Sequence, residues 1–391
     1  MDKRKTVLGS AIVLYFVIGL EILIMISPFA GFFYTVFNPF LLEIAKHPAT
    51  RWLSAFFLPH MVIPPDAFLK SLRVAGSVLF VGGLAVFVFC ALQIYAAKFL
   101  KRGAVLKGLY SYIRHPQYLG LAICGIGLSI LWPRFLVAVL WLAMILIYYF
   151  LSRDEEKRML RAHRADYEAY MKNTGMFLPK AVENRIAPST AVGKAALFVL
   201  IATLVIGGAF SLRAYTIKHL PLWANGNVVA ISILPEDTYM MDHRMADVLQ
   251  KEEIGTRLKS GENYLIYFLP PNYIMQGLVA DTGGEWKLYK RHHTIGMLVD
   301  WIFHPFRHLR EGHHSLHGGT EHQGLNSGVV RRLVFLGVRD VEVEKTSDVF
   351  SMNARRVPVF MADVDIHEPR ILDIKDLPED TGWGKVPTPV F

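Results

Sequence analysis

The sequence predicts a polytopic α-helical membrane protein of about five transmembrane helices, including a tight helical hairpin, followed by a C-terminal soluble α+β domain. Three observations lead there. Of 391 residues, 53% are hydrophobic and mean hydropathy is positive. That is too apolar for an ordinary soluble domain, yet long enough for a membrane part and a second domain. The apolar residues gather into five stretches, all before residue 213. Charge is also divided unevenly: 1–213 carry 23 Lys/Arg against 10 Asp/Glu, and 214–391 carry 19 against 23. A basic, apolar part beside a mildly acidic one places 1–213 in the membrane and 214–391 outside it. The positive charge is then a matter of topology and anionic headgroups, with no nucleic-acid partner implied.

The first apolar stretch spans 7–30 and follows Asp2-Lys3-Arg4-Lys5. It reads as a retained signal anchor, because the run continues to about Phe37 with one interruption and shows no small-x-small cleavage site. The interruption is Glu21, a carboxylate costly to place in a membrane unless it lies near an interface. The second stretch, 74–97, is bounded by Arg73 and Lys98. Its 24 residues make a helix of about 36 Å, enough to cross a bilayer with some tilt. The third and fourth, 117–131 and 135–151, are separated only by Trp132-Pro133-Arg134, which reads as a tight hairpin. The fifth, 195–212, lies between Lys194 and Arg213. Cys90 and Cys124 both fall inside apolar runs, so they read as small buried hydrophobes, with no disulfide framework.

Basic residues set the orientation. The 98–116 loop has five Lys/Arg and no acid, 152–194 has nine Lys/Arg, and the N-terminal tail adds three. All fall on one side if every stretch spans, so that side is cytoplasmic, with the C-terminal domain extra-cytoplasmic.

Beyond residue 213, Asn227–Leu234, Asn263–Leu269, Val329–Val343 and Pro358–Ile366 read as strands, rich in Val, Ile, Phe and Tyr between turn residues. Asp242–Lys259 and Thr294–Leu309 have helical spacing. Gly312–Gly328 reads as an exposed loop. Eleven of the fifteen histidines lie in this half, with His304/His308 and His313/His317 at i, i+4 and His292, His293, His314 and His322 nearby. Such clustering is compatible with a divalent metal. However, Pro305 breaks one pair and glycines surround the other, so a solvated, pH-responsive loop is the reading and no metal is assigned. Asp363, Asp365 and His367 alternate as a half-exposed strand does. The role of this domain is not legible.

The chemistry-bearing residues sit at the mouth of the hairpin. Arg114-His115-Pro116-Gln117-Tyr118-Leu119-Gly120 run into it, and Asp154-Glu155-Glu156 leave it, followed by Tyr167 and Tyr170. Taken singly, each has a structural reading: a snorkelling Arg, a helix-starting Pro, an interfacial Tyr, a close-packing Gly. Together they are another matter, because a hairpin leaves and returns to the same face and so gathers both clusters on one side.

The order Gly108-Leu109-Tyr110, Arg114-His115-Pro116, Tyr118, Gly120, hairpin, Glu155-Glu156, Tyr167, Tyr170, Phe177-Leu178-Pro179 resembles that of a family of integral-membrane methyltransferases. The family includes isoprenylcysteine carboxyl methyltransferases and phospholipid N-methyltransferases. The resemblance covers about 75–180. One departure is His163-Arg164, where the family usually has Phe-Gly. The resemblance implies S-adenosylmethionine as methyl donor and a lipid-like or isoprenoid-type acceptor, methylated on a carboxylate or on an amine. It implies Arg114, His115, Glu155 and Glu156 as catalytic residues, and Tyr110, Pro116, Tyr118 and Gly120 with those four as the donor pocket. The residue types suit that donor: Arg114 or His115 for its carboxylate, Glu155 or Glu156 for its ribose hydroxyls or ammonium, and the faces of Tyr118 and Tyr110 for adenine or the sulfonium. No Gly-x-Gly-x-x-Gly follows a strand, so a standard nucleotide fold is not expected. Two rival readings are an NADPH-dependent membrane reductase of the sterol type and a non-catalytic anchor presenting a sensory or partner-binding domain.

Overall fold

The computed structural model describes residues 43–59, 62, 66–100, 106–234, 237–270 and 330–377. The described residues form two compact units. One contains 56–59 and 66–216; the other contains 43–55, Val62 and the described residues from Ile217 onward. The stretch at 7–30, with Glu21, and the histidine-rich 292–322 region, with the helix expected at Thr294–Leu309, lie outside the described residues.

The first unit is helical: α1 (Ala67–Phe99), α2 (Pro116–Leu131), α3 (Phe135–Ala162), α4 (Arg164–Asn173), α5 (Lys180–Ile186) and α6 (Ala191–Lys218). Three of these, α1, α3 and α6, are long and apolar enough to cross a membrane. The expectation of about five spans is therefore not met among the described residues. The 117–131 stretch falls in α2, whose 16 residues are about 24 Å long and short of a hydrocarbon core of about 30 Å. Large apolar side chains stand exposed on the long helices, including Val74, Val78, Val81 and Leu92 on α1 and Val192, Val199 and Leu204 on α6. Such surfaces are stable only against an apolar solvent.

α2 compensates for its length by packing closely. Pro116 starts it at a position where a missing N–H costs nothing. Gly76 and Gly83 on α1 meet Gly120 and Gly127 on α2 at backbone contact. A Cβ added at Gly83 would lie 2.6 Å from the Gly120 carbonyl, and one at Gly127 2.6 Å from the Gly76 carbonyl. Small residues at matched seven-residue intervals let the two backbones approach this way. The Trp141 indole, which donates to the Ala122 carbonyl at 2.8 Å, fills the space over Gly125.

The hairpin turn also anchors another segment. Phe57 N–H donates to the Pro133 carbonyl at 2.8 Å, and the fully buried Arg134 guanidinium lies 4.2 Å over the Phe56 ring. Arg213 donates to the Phe56 carbonyl, and Arg73 to the Pro59 carbonyl at 2.5 Å. Three arginines thus satisfy or cover an irregular strand of backbone at the end of the bundle away from Arg114.

The second unit is a six-stranded sheet in the order β1 (Leu222–Asn225), β2 (Val228–Ser232), β3 (Asn263–Leu269), β4 (Val330–Arg339), β5 (Arg355–Asp365) and β6 (Arg370–Asp376). Among the described strands only β2 and β3 pair in parallel, joined through α7 (Thr238–Leu249) and a helical turn at Glu252–Gly255. The expected helix at 242–259 therefore starts earlier and is broken. Gly226, at φ +57°, supplies the left-handed residue of the tight β1–β2 turn. Tyr264, Ile266 and Phe268 face α7 and its cluster of Met241, Met245 and Val248; Leu265, Tyr267 and Leu269 line the other face. Buried Asp237 accepts two hydrogen bonds from Arg331, at 2.7 and 3.0 Å. Asp363 is held by Arg332 at 2.7 and 2.8 Å, and Asp365 caps the turn at His367 and Glu368. The alternating acids are structural. β5 begins three residues before Pro358, because the bulge opposite Leu336 accommodates the missing N–H.

Candidate functional site

α3 does not stop where its apolar run ends. Good helix formers (Glu, Lys, Arg, Met, Leu, Ala) and the Asp154–Arg158 ion pair at 2.8 Å carry it to Ala162. Glu155 and Glu156 therefore sit on a rigid helix, on the face that also carries Tyr148 and Ser152. His163, with φ −140° and ψ 56°, ends α3 and turns the chain into α4. The departure from the family pattern at His163-Arg164 falls at this corner, and Tyr167 and Tyr170 still return over the site.

The loop before α2 is strapped to the segment after α4. Arg114 N–H donates to the Gly175 carbonyl at 2.8 Å and His115 N–H to the Met176 carbonyl at 3.1 Å. Tyr170 Oη donates to the Tyr110 carbonyl at 2.5 Å. Arg114 is 8% exposed, and its guanidinium is committed within the protein. Nε donates to Glu156 Oε1 at 2.6 Å, while Nη1 donates to the Thr174 carbonyl and, at 3.5 Å, to the Met171 carbonyl. It joins both ends of the hairpin to the loop behind them.

His115 lies between the two glutamates. Nδ1 is 3.4 Å from Glu155 Oε2 and Nε2 is 3.4 Å from Glu156 Oε1. These are ion-pair separations: neither ring nitrogen has a hydrogen-bond partner of good geometry, although the ring is buried. Burial disfavours the imidazolium, but the two carboxylates outweigh it and hold His115 above its ordinary range. Glu155 is the open member of the pair, its side chain 34% exposed against 10% for Glu156. Tyr118 Oη donates to Glu155 Oε1 at 2.6 Å.

Aromatic rings extend the cluster. His115 stacks on Tyr118 at 5.7 Å, and Tyr118 on Tyr148 at 5.2 Å with planes 9° apart. Phe177 lies 6.1 Å from His115 on the other side. Burial, then the nearby Glu156 charge, push the Tyr167 hydroxyl up to about 12. Burial likewise raises Tyr110 and Tyr170, so all three stay neutral.

The structure thus brings together Arg114, His115, Tyr118, Glu155 and Glu156. Tyr110 stands behind them, its hydroxyl turned to Gln117 Oε1 at 3.1 Å and the Cys90 carbonyl at 3.4 Å. Pro116 starts the helix, and Gly120 faces α1, where a Cβ would lie 2.9 Å from the Gly83 carbonyl. Sequence reasoning misses Tyr148 and the Thr174 carbonyl. Tyr148 precedes Glu155 by seven positions, two helical turns, and that spacing is the signal that could have found it.

Residues 93–165 match the family model for phospholipid methyltransferase. This stretch is similar to that family over less than a fifth of the chain. It holds the Arg114–Gly120 motif, the whole hairpin and both glutamates, and ends before Tyr167. None of the curated proteins and none of the solved structures matches the chain.

Proposed function

We propose that the chain transfers a methyl group from S-adenosylmethionine to a lipid-like acceptor at the membrane. The observation that carries this reading is the convergence of His115, Glu155 and Tyr118 at the mouth of a hairpin whose segment matches a methyltransferase family. The fit to the donor rests on that cluster: a buried imidazole with two unsatisfied nitrogens, a half-exposed carboxylate and a tyrosine face. When bound, the donor supplies an activated methyl group on a sulfonium.

The chain's own part is mainly alignment and exclusion of water. Glu155 Oε2 is the acceptor for hydroxyl or ammonium groups, held in orientation by Tyr118 Oη. Glu155 and Glu156 favour the protonated form of His115, in which it can offer N–H to a carboxylate. Arg114 and Glu156 mainly hold the frame, since Arg114 Nε and Nη1 and Glu156 Oε1 are committed to one another and to backbone carbonyls. Because the two carboxylates favour its protonated form, no general-base role is assigned to His115. A carboxylate acceptor needs no base; an amine acceptor must lose its proton to Glu155 or to solvent. The family description favours a phospholipid over an isoprenylcysteine.

The test is transfer of labelled methyl from the donor into extracted membranes, followed by identification of the labelled product. Label in a lipid that disappears in Glu155→Gln supports the reading. NADPH binding with no transfer points to the reductase instead. Function that survives hairpin variants but is lost on deletion of the second unit points to an anchor.

A further inference from the structure

Tyr149, one residue along from the site's Tyr148, belongs to a different cluster. Arg153 Cζ and Lys194 Nζ each lie 5.9 Å from the centre of its ring, and Arg153 Nη1 is 3.4 Å from its hydroxyl. Arg153 comes from α3 and Lys194 from α6, two helices long and apolar enough to cross a membrane. Each cation sits at the level where its helix leaves the apolar stretch: Arg153 two residues after Leu151, Lys194 just before the run from Ala195. Just below, Phe150 is 60% exposed and Val199 61%, so the adjoining surface faces lipid. Neither cation forms an ion pair with a carboxylate among the described residues, whereas Arg158, one turn further out, is paired with Asp154. Holding two like charges against one ring at a lipid boundary leaves a demand for an anion.

We infer that Tyr149, Arg153 and Lys194 form a binding site for the phosphate headgroup of an anionic membrane lipid, separate from the cluster around Glu155. The guanidinium fork and the ammonium each take a phosphate oxygen, the tyrosine ring spaces them, and the acyl chains lie against the exposed apolar side chains below, Phe150 and Val199 among them.

The test uses the full-length protein purified from membranes and exchanged into nanodiscs of phosphatidylglycerol and phosphatidylcholine. Lipids retained on release are counted by native mass spectrometry. The wild type should retain phosphatidylglycerol preferentially. The Arg153→Gln/Lys194→Gln double variant should lose most of that preference, roughly thirtyfold for two cations at a membrane surface. Arg153→Lys should keep most of it, and Arg158→Gln should match the wild type. Equal preference in the wild type and the double variant overturns the inference. So does an equal loss in Arg158→Gln, which would mean a diffuse basic surface. Displacement of the retained lipid by millimolar inorganic phosphate would also overturn it, by marking a soluble anion as the ligand.

Discussion

Arg114 and Glu156 stand 42 positions apart and form a buried ion pair, Nε to Oε1 at 2.6 Å. The pair fastens the start of α2 to the polar end of α3 and, through Thr174, to the segment after α4. Removing one partner leaves a buried charge uncompensated. Arg114→Gln should therefore cost about 3–5 kcal/mol, seen as a lowered thermal midpoint in detergent. The double variant Arg114→Gln/Glu156→Gln should recover part of that loss; equal losses in single and double variants would show the pair is not coupled.

Glu155 should behave differently, although it is the neighbouring residue. It is partly exposed and held by Tyr118 rather than by a buried guanidinium. Glu155→Gln should lower the midpoint by less than Arg114→Gln does, through its weaker hold on His115, and weaken binding of S-adenosylhomocysteine tenfold or more, as expected for losing a charge-assisted hydrogen bond of about 1.5 kcal/mol. Calorimetry on the purified protein reads this directly. A variant that binds normally would remove Glu155 from the donor pocket.

His115 gives the fold a pH dependence of definite sign. Its folded value lies above the ordinary 6.5, because the attraction of Glu155 and Glu156 exceeds the cost of burial. A raised histidine stabilises the fold fully below its unfolded value and loses that contribution as pH rises through the folded one. Thermal midpoints should therefore fall from pH 6.5 upward, and His115→Gln should flatten that decline. A decline of the same slope in the variant would assign it to other groups.

Much of this site is legible in the amino-acid sequence. The Arg114–Gly120 and Glu155-Glu156 clusters belong together because a hairpin returns to the face it left, a matter of topology alone. What residue types cannot apportion is the work of each member. Arg114 and Glu155 are both charged and next to partners in the motif, but one is consumed by backbone carbonyls and the other is open. Only the path of 171–176 decides that, and nothing in its residue types announces it. In the second unit, the apolar central strands are visible by composition. The short β1, with its burial only partial, and the charged β6 lack that signal.

The close seam between α1 and α2 makes the last prediction, and neighbouring glycines provide its control. A Cβ at Gly83 would meet the Gly120 carbonyl at 2.6 Å and Cys124 Cα at 2.8 Å, both on backbone that cannot swing aside. At Gly82 an added Cβ meets nothing within 4 Å. Gly83→Ala should therefore destabilise the bundle by about 1–3 kcal/mol through overpacking. Gly82→Ala should be neutral or stabilising by up to about 1 kcal/mol, since alanine is the better helix former. Thermal midpoints of the two variants in the same detergent decide it. A seam held only by apolar bulk would tolerate both substitutions alike, whereas one held by backbone approach distinguishes residues one position apart. Because Gly83 meets α2 one turn beyond Pro116, loosening it should also displace His115 and weaken donor binding in Gly83→Ala but not in Gly82→Ala.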